Sequence, residues 1–261
     1  MPLQPLPAFS DNYIWTLADG EGNALIVDPG EAGPVFRAAE SGLRPHTVLL
    51  THHHDDHIGG VDALRRRWPE LRVIAPQDER IGGDAERVGD GDVVEASGRR
   101  FRVLAIPGHT RTHIAYASEE TGAGDDGLLF CGDTLFSLGC GRMFEGRPAQ
   151  MLASLDHLAA LPGRLRICCG HEYTLANAAF AHQVEPGNAA LQSRVAEAQA
   201  QRADGRPTLP STLEGERLAN PFLRVDEPSV RAAVAARLGR EPADRVEVFA
   251  ELRRWKDGFR A

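Results

Sequence analysis

The chain has 261 residues, of which 42% are hydrophobic and 25% charged, enough for one large domain or one domain with a smaller companion, each with a buried core. No apolar run reaches the roughly 18–20 residues of a membrane helix, and the opening Met1-Pro-Leu-Gln-Pro-Leu lacks the basic and apolar regions of an export signal, so a cytoplasmic protein without a membrane partner is expected. A net charge of −8 argues against a basic nucleic-acid-binding face.

In chain order, strands are predicted at 14–18 and 24–28, with a turn beginning at Asp19-Gly20 between them. A helix follows over 31–41 and a buried strand over 47–50. That strand runs directly into Thr51-His-His-His-Asp-Asp-His57. A basic amphipathic helix at 61–67 precedes strands near 72–75, 101–106, 113–117 and 127–131, and Gly122-Ala-Gly-Asp-Asp-Gly127 reads as a turn. A helix is expected at 148–160 and a strand at 165–169. Beyond residue 172 strand signals nearly vanish, and helices are predicted near 174–184, 188–203, 228–238 and 243–256, punctuated by Pro and Gly. The division expected is 1–172 for a mixed α/β domain and 173–261 for a smaller helical one. Cys131, Cys140, Cys168 and Cys169 form no C-x-x-C pair and read as free, buried, small apolar side chains.

Chemistry concentrates after four strands. The segments are His52-x-His54-x-Asp56-His57, Pro107-Gly-His109, Cys131-Gly-Asp133 and Cys169-Gly-His171. In each, an apolar strand ends and presents an imidazole or carboxylate from a loop, as metal sites are commonly built. His52 and His54, two apart in extended chain, point the same way and can chelate one ion. Asp56 and His57 can face a second ion, His109 and His171 can each complete one set, and the two oxygens of Asp133 can bridge. A single histidine after a strand is usually just hydrogen-bonded, but four His and two Asp between residues 52 and 57 are hard to explain that way. Zinc, iron or manganese all suit these donors. His53 alternates to the opposite side and reads as packing. His113 reads equally as packing or as a contact behind a ligand, and Asp28 as a turn former or an orienting partner for a ligating imidazole. Two ions sharing a water would generate hydroxide near neutral pH, so hydrolysis is the expected reaction. No dedicated general acid is evident beyond Asp56 and metal-bound water, which favours a leaving group such as a thiolate, whose parent pKa is about 8.5.

The Thr-His-x-His-x-Asp-His signature with its later His, Asp and His resembles the metallo-β-lactamase superfamily, which implies an αββα sandwich followed here by a smaller C-terminal all-α domain. Further motifs, including Phe9-Ser-Asp-Asn-Tyr13, Gly139-Cys-Gly-Arg-Met-Phe-Glu-Gly146, Cys169-Gly-His-Glu-Tyr-Thr174, Asn220-Pro-Phe222 and Leu252-Arg-Arg-Trp-Lys-Asp-Gly-Phe259, resemble the glyoxalase II (hydroxyacylglutathione hydrolase) family across nearly the whole chain. That resemblance implies cleavage of S-D-lactoylglutathione to D-lactate and glutathione, the second step of methylglyoxal detoxification. It implies one divalent ion, zinc first, on His52, His54, His109 and Asp133, and a second on Asp56, His57, Asp133 and His171. Asp56 and Asp133 would be the catalytic carboxylates. Glutathione would meet Arg142, Tyr173, Asn177, Arg253 and Lys256, the last being the sole lysine among 29 basic residues. Position 144, a tyrosine in some members, is Phe144. By residues alone, Arg253 and Lys256 read more readily as a solvated helix face. The expected partner is a small-molecule thioester, with no nucleic acid, and the chain is expected to act as a monomer. A persulfide dioxygenase or another thioester hydrolase on the same fold is the alternative, with the long helical tail against the former.

Overall fold

In the computed structural model, residues 3–118 and 126–260 are described; most of the turn expected at 122–127 lies outside them. Successive elements are β1 (Leu3–Ala8), β2 (Asn12–Ala18), β3 (Asn23–Val27), α1 (Gly33–Glu40), β4 (Arg44–Leu49), α2 (Asp55–Ile58), α3 (Val61–Arg67), β5 (Arg72–Pro76), β6 (Glu86–Val88), β7 (Val93–Ala96), β8 (Arg99–Ala105), β9 (Ile114–Ser118) and β10 (Leu128–Gly132). There follow β11 (Leu135–Phe136), β12 (Gly139–Cys140), α4 (Pro148–Ala159), β13 (Arg166–Cys169), α5 (Thr174–Val184), α6 (Ala189–Ala203), β14 (Ser211–Thr212), α7 (Leu213–Ala219), a 3-10 turn at Pro221–Leu223, α8 (Pro228–Leu238) and α9 (Arg245–Gly258). Helix ends follow capping chemistry. Asn188 and Asp244 accept backbone N–H bonds at the starts of α6 and α9, Pro228 opens α8, and Gly239 closes it at φ 70°.

Two compact units divide the chain. The first comprises Met1–Ala105, Thr112–Gly132 and Cys168–Glu172; the second comprises Ile106–Arg111, Asp133–Ile167 and Tyr173–Ala261. Two stretches before residue 172, Ile106–Arg111 bearing His109 and Asp133–Ile167 bearing Asp133, therefore group with the helical part.

The first unit has two sheets. One runs β1-β2-β3-β4-β5-β6, antiparallel through its first three strands and parallel from β3 onward. The other carries β7, β8, β9 and β10 as antiparallel neighbours. The Trp15 indole of β2 donates to the Cys169 carbonyl, and the Tyr116 hydroxyl of β9 donates to the Leu50 carbonyl, so buried polar bonds tie one sheet to the other. Ile14, Ile26, Val48 and Val73 of the first sheet pack with Val35 of α1 and Leu64 of α3. Burying such apolar area contributes roughly 25 cal/mol per Å². β9 and β10 are buried along their whole length, which explains their uninterrupted apolar runs.

In the second unit the helices pack around Leu138, Ala178, Ala181, Leu191 and Ala219. The start of β13 pairs with β14, a two-residue strand in the region expected to be purely helical. All four cysteines are free and buried, as their spacing predicts. No helix among the described residues is long and apolar enough to cross a membrane.

Candidate metal centre and substrate cavity

In the first unit, β4 ends at Leu49 and the chain turns through Thr51 into the single-turn helix α2. Asp28, at the end of β3 with φ 52°, accepts bonds from the Thr51 N–H and hydroxyl at 2.8 and 2.7 Å. These bonds fix the loop at its root. His52 Nε2 lies 3.1 Å from His54 Nδ1. One ligand atom each from Asp56, His57 and His171 falls within 4.8 Å of the others. Asp56 Oδ2 is 3.6 Å from His57 Nε2 and 3.5 Å from His171 Nε2. Two donors each about 2.1 Å from a tetrahedral ion stand about 3.4 Å apart, so these separations match ligands around an ion.

Hydrogen bonds behind the imidazoles decide which nitrogen faces the site. His57 Nδ1 is 3.1 Å from Asp28 Oδ2, and His171 Nδ1 is 2.8 Å from Asp11 Oδ1. A carboxylate only accepts, so both Nδ1 atoms carry the proton. Thr51 spends its hydroxyl proton on Asp28, so at 3.0 Å it accepts from His52 Nδ1. In the second unit His109 Nδ1 donates to the Arg142 carbonyl at 2.8 Å. In each of these four rings Nδ1 is held by an acceptor, which leaves Nε2 as the nitrogen that can ligate a metal. The residues fit a pair of divalent ions.

In the second unit His109 Nε2 lies 3.6 Å from Asp133 Oδ2. Gly141 stands where a Cβ would overlap the Asp133 carbonyl, so only glycine lets the chain return this close. A cavity of about 470 Å³ takes in His109, Asp133, Arg142, Phe144, Tyr173, Asn177, Arg253 and Lys256. Phe144, 65% exposed, stands edge-on to the His109 ring at 5.3 Å. Asn177 is buried and donates to the Ser137 carbonyl at 3.1 Å. Arg253 is only 3% exposed, donating to the Cys140 carbonyl at 2.7 Å and to Asp257 at 3.0 Å, over the Phe222 ring. It is not part of a solvated helix face. Lys256 donates to the Ala176 carbonyl at 2.8 Å, and burial with the neighbouring Arg253 and Arg142 charges lowers its pKa to about 8. Burial pushes the Cys140 thiol up to about 11, so it stays protonated.

His53 faces away from the ligands, 3.4 Å from Asp78, which is also bound by Arg80 and Thr112. His113 stacks on His52 at 4.6 Å and donates to the Ile114 carbonyl. Two supporting residues fall within the Phe9–Tyr13 motif, to which the sequence assigned no role. They are Asp11, behind His171, and Asn12, whose amide donates to Asp56 Oδ2 at 3.0 Å.

A family model described as the hydroxyacylglutathione hydrolase C-terminus matches residues 172–259, and one described as the metallo-beta-lactamase superfamily matches residues 12–171. Hydroxyacylglutathione hydrolases of Xanthomonas euvesicatoria pv. vesicatoria and Stenotrophomonas maltophilia are 59% and 58% identical to the chain, each alignment covering 100% of both proteins. The chain belongs to the hydroxyacylglutathione hydrolase family. Within the wider superfamily, ETHE1 from Myxococcus xanthus has a TM-score of 0.64 at 25% identity, with 99% of this chain and 91% of that one covered. The BLEG-1 B3 metallo-beta-lactamase shares the fold at a TM-score of 0.64 and 22% identity, over 85% of this chain and 99% of that one. As a hydroxyacylglutathione hydrolase family member the chain is a dinuclear metallohydrolase, and the mixed α/β fold expected from the sequence is borne out.

Proposed function

We propose that the chain hydrolyses S-2-hydroxyacylglutathione thioesters, converting S-D-lactoylglutathione to D-lactate and glutathione. The observation that carries this reading is the cavity of the second unit, where His109 and Asp133 share one space with Arg142, Arg253 and Lys256. A substrate with two carboxylates and a reactive thioester needs cations and metal ligands in the same cavity. The proposed ligand sets are His52, His54, His109 and Asp133 for one ion, and Asp56, His57, Asp133 and His171 for the other. Zinc leads, with iron or manganese suited to the same donors; a structural relative with a TM-score of 0.53 and 28% identity, covering 64% of this chain and 91% of its own, is described as di-iron-bound. When bound, the ions supply Lewis acidity and lower the pKa of water.

The chain's own residues bind and orient. Arg142, exposed and 3.6 Å from Asp257, can exchange that carboxylate for one of glutathione. Lys256 supplies a second cation. Arg253 spends donors on the Cys140 carbonyl and on Asp257, and its guanidinium adds a positive charge at the wall of the cavity. Tyr173 and Asn177, at the start of α5, complete the peptide contacts, and Phe144 covers the acyl end beside His109. A departing thiolate is stable near neutral pH, so no residue must protonate it. Functionally, 1–172 is the catalytic domain and 173–261 the glutathione-binding one. We place the protein in the cytoplasm as a monomer acting on a small molecule, which suits its four free cysteines.

The test is hydrolysis of S-D-lactoylglutathione by purified protein, followed by loss of thioester absorbance, with metal content measured on the same sample. Turnover with two ions per chain is expected. Full metal content without turnover would leave the metal centre and overturn the substrate.

A further inference from the structure

Asp133 and Arg142 are joined by the β11–β12 hairpin, whose two-residue turn is Ser137-Leu138. Leu138 has φ 59°, a left-handed conformation that a leucine adopts only under constraint. The turn is also fully buried, so its backbone polar groups need partners from the protein. Helical side chains supply them. Glu216 of α7, 1% exposed, accepts the Leu138 N–H at 2.8 Å. Asn220 donates to the Phe136 and Gly139 carbonyls at 3.1 and 2.9 Å and lies 3.3 Å from the same Glu216 oxygen. Asn177 takes the Ser137 carbonyl, and Arg194 approaches the Ser137 hydroxyl at 3.4 Å. Beyond the turn the chain leads to the Arg142 carbonyl, which holds His109 Nδ1.

We propose that Glu216, with Asn220 beside it, is a positioning residue that holds the strained β11–β12 turn and thereby sets Asp133 and the Arg142 carbonyl around His109. A hairpin this short has little intrinsic stability, and the left-handed leucine opposes it. Among the described residues, the carboxyl is the acceptor that meets the N–H of the strained residue. Burial also raises the pKa of Glu216, against the hydrogen bonds it accepts from the Leu138 N–H and from Ser211 and Ser137. Glu216 touches neither metal nor substrate.

The inference rests on the proposed reading only in taking His109 and Asp133 as ligands, and its primary readout is metal affinity by chelator competition, which requires no substrate. Glu216→Gln keeps the acceptor and should bind metal as the wild type does. Glu216→Leu removes it and should weaken binding about tenfold or more, the scale of losses seen when supporting bonds to ligands are cut. Leu138→Gly in the Glu216→Leu background should recover most of that loss, because glycine adopts the turn conformation unaided. If Glu216→Leu does not fold, Asn220→Ala, which releases the same turn through its carbonyls, should show the loss instead. Wild-type metal affinity in Glu216→Leu (or in Asn220→Ala where that variant stands in) would overturn the proposal. So would a lowered melting temperature without weaker metal binding, or failure of Leu138→Gly to rescue. Lack of thioesterase activity in the wild type, by contrast, would overturn only the substrate assignment.

Discussion

Lys256 is the chain's one lysine, and its surroundings make it titrate where enzymes are assayed. Burial and the nearby Arg253 and Arg142 charges disfavour the ammonium and bring its pKa down to about 8. A lowered lysine pKa means that the charge is present below pH 8 and lost above it. If Lys256 binds the substrate as proposed, KM for the glutathione thioester should therefore rise between pH 7 and 9 while kcat changes less, since a cation that only binds substrate acts on KM. Lys256→Arg keeps a cation across this range and should flatten the rise, separating Lys256 from the titration of the substrate's own ammonium. A KM profile identical in both proteins would remove Lys256 from the binding set. At the reacting end the corresponding residue is Asp133. As the proposed bridge it belongs to both ligand sets, so Asp133→Ala should lower bound metal from two ions toward none and abolish turnover. Elemental analysis of the purified variant would check this, and two retained ions would sink the bridging assignment.

Among elements, legibility in the sequence tracks length and period. The helices α4, α5, α6, α8 and α9 announce themselves through composition and through Pro, Gly, Asn and Asp at their ends, and they lie within two residues of the expected bounds. β1 was hidden because Pro5 and Pro7 interrupt an edge strand that alternates without a clear apolar run. β11, β12 and β14 are two residues each, too short for any period to show, α7 carries a glycine in its interior, and α2 is a single turn embedded in the histidine cluster. The proposed metal ligands stand out in the sequence because they crowd into a few residues or follow apolar strands. Asp11 does not, because its partner His171 is 160 residues away and only folding brings β2 beside that loop. Its role is testable: Asp11→Ala frees the His171 ring and should weaken metal binding roughly 10- to 100-fold, measured by chelator competition. The cap of α9 should behave differently. Asp244 accepts the Glu247 N–H at 2.8 Å, so Asp244→Ala should cost about 1 kcal/mol of stability. Because the cap lies two turns from Arg253, KM should not move; a changed KM with an unchanged melting temperature would reverse that assignment.

At the scale of the whole molecule, the proposed ligands span His52 to His171 and include loops that end four separate strands. Folding brings imidazoles and carboxylates such as Asp56, His57 and His171 together at the expense of conformational entropy. Ions that bind the folded chain and not the unfolded one stabilise it by mass action, about 4 kcal/mol when free metal is a thousandfold above the dissociation constant. For a protein of this size each kcal/mol moves the melting temperature by about 2–4 °C, so chelation should lower it by about ten degrees. Asp133→Ala supplies the control. Having lost both ions already, it should melt near the chelated wild type and respond little to added chelator. If the chelated wild type melts where the loaded protein does, the ions are not held by the folded chain at these residues, and the dinuclear assignment fails whatever the substrate proves to be.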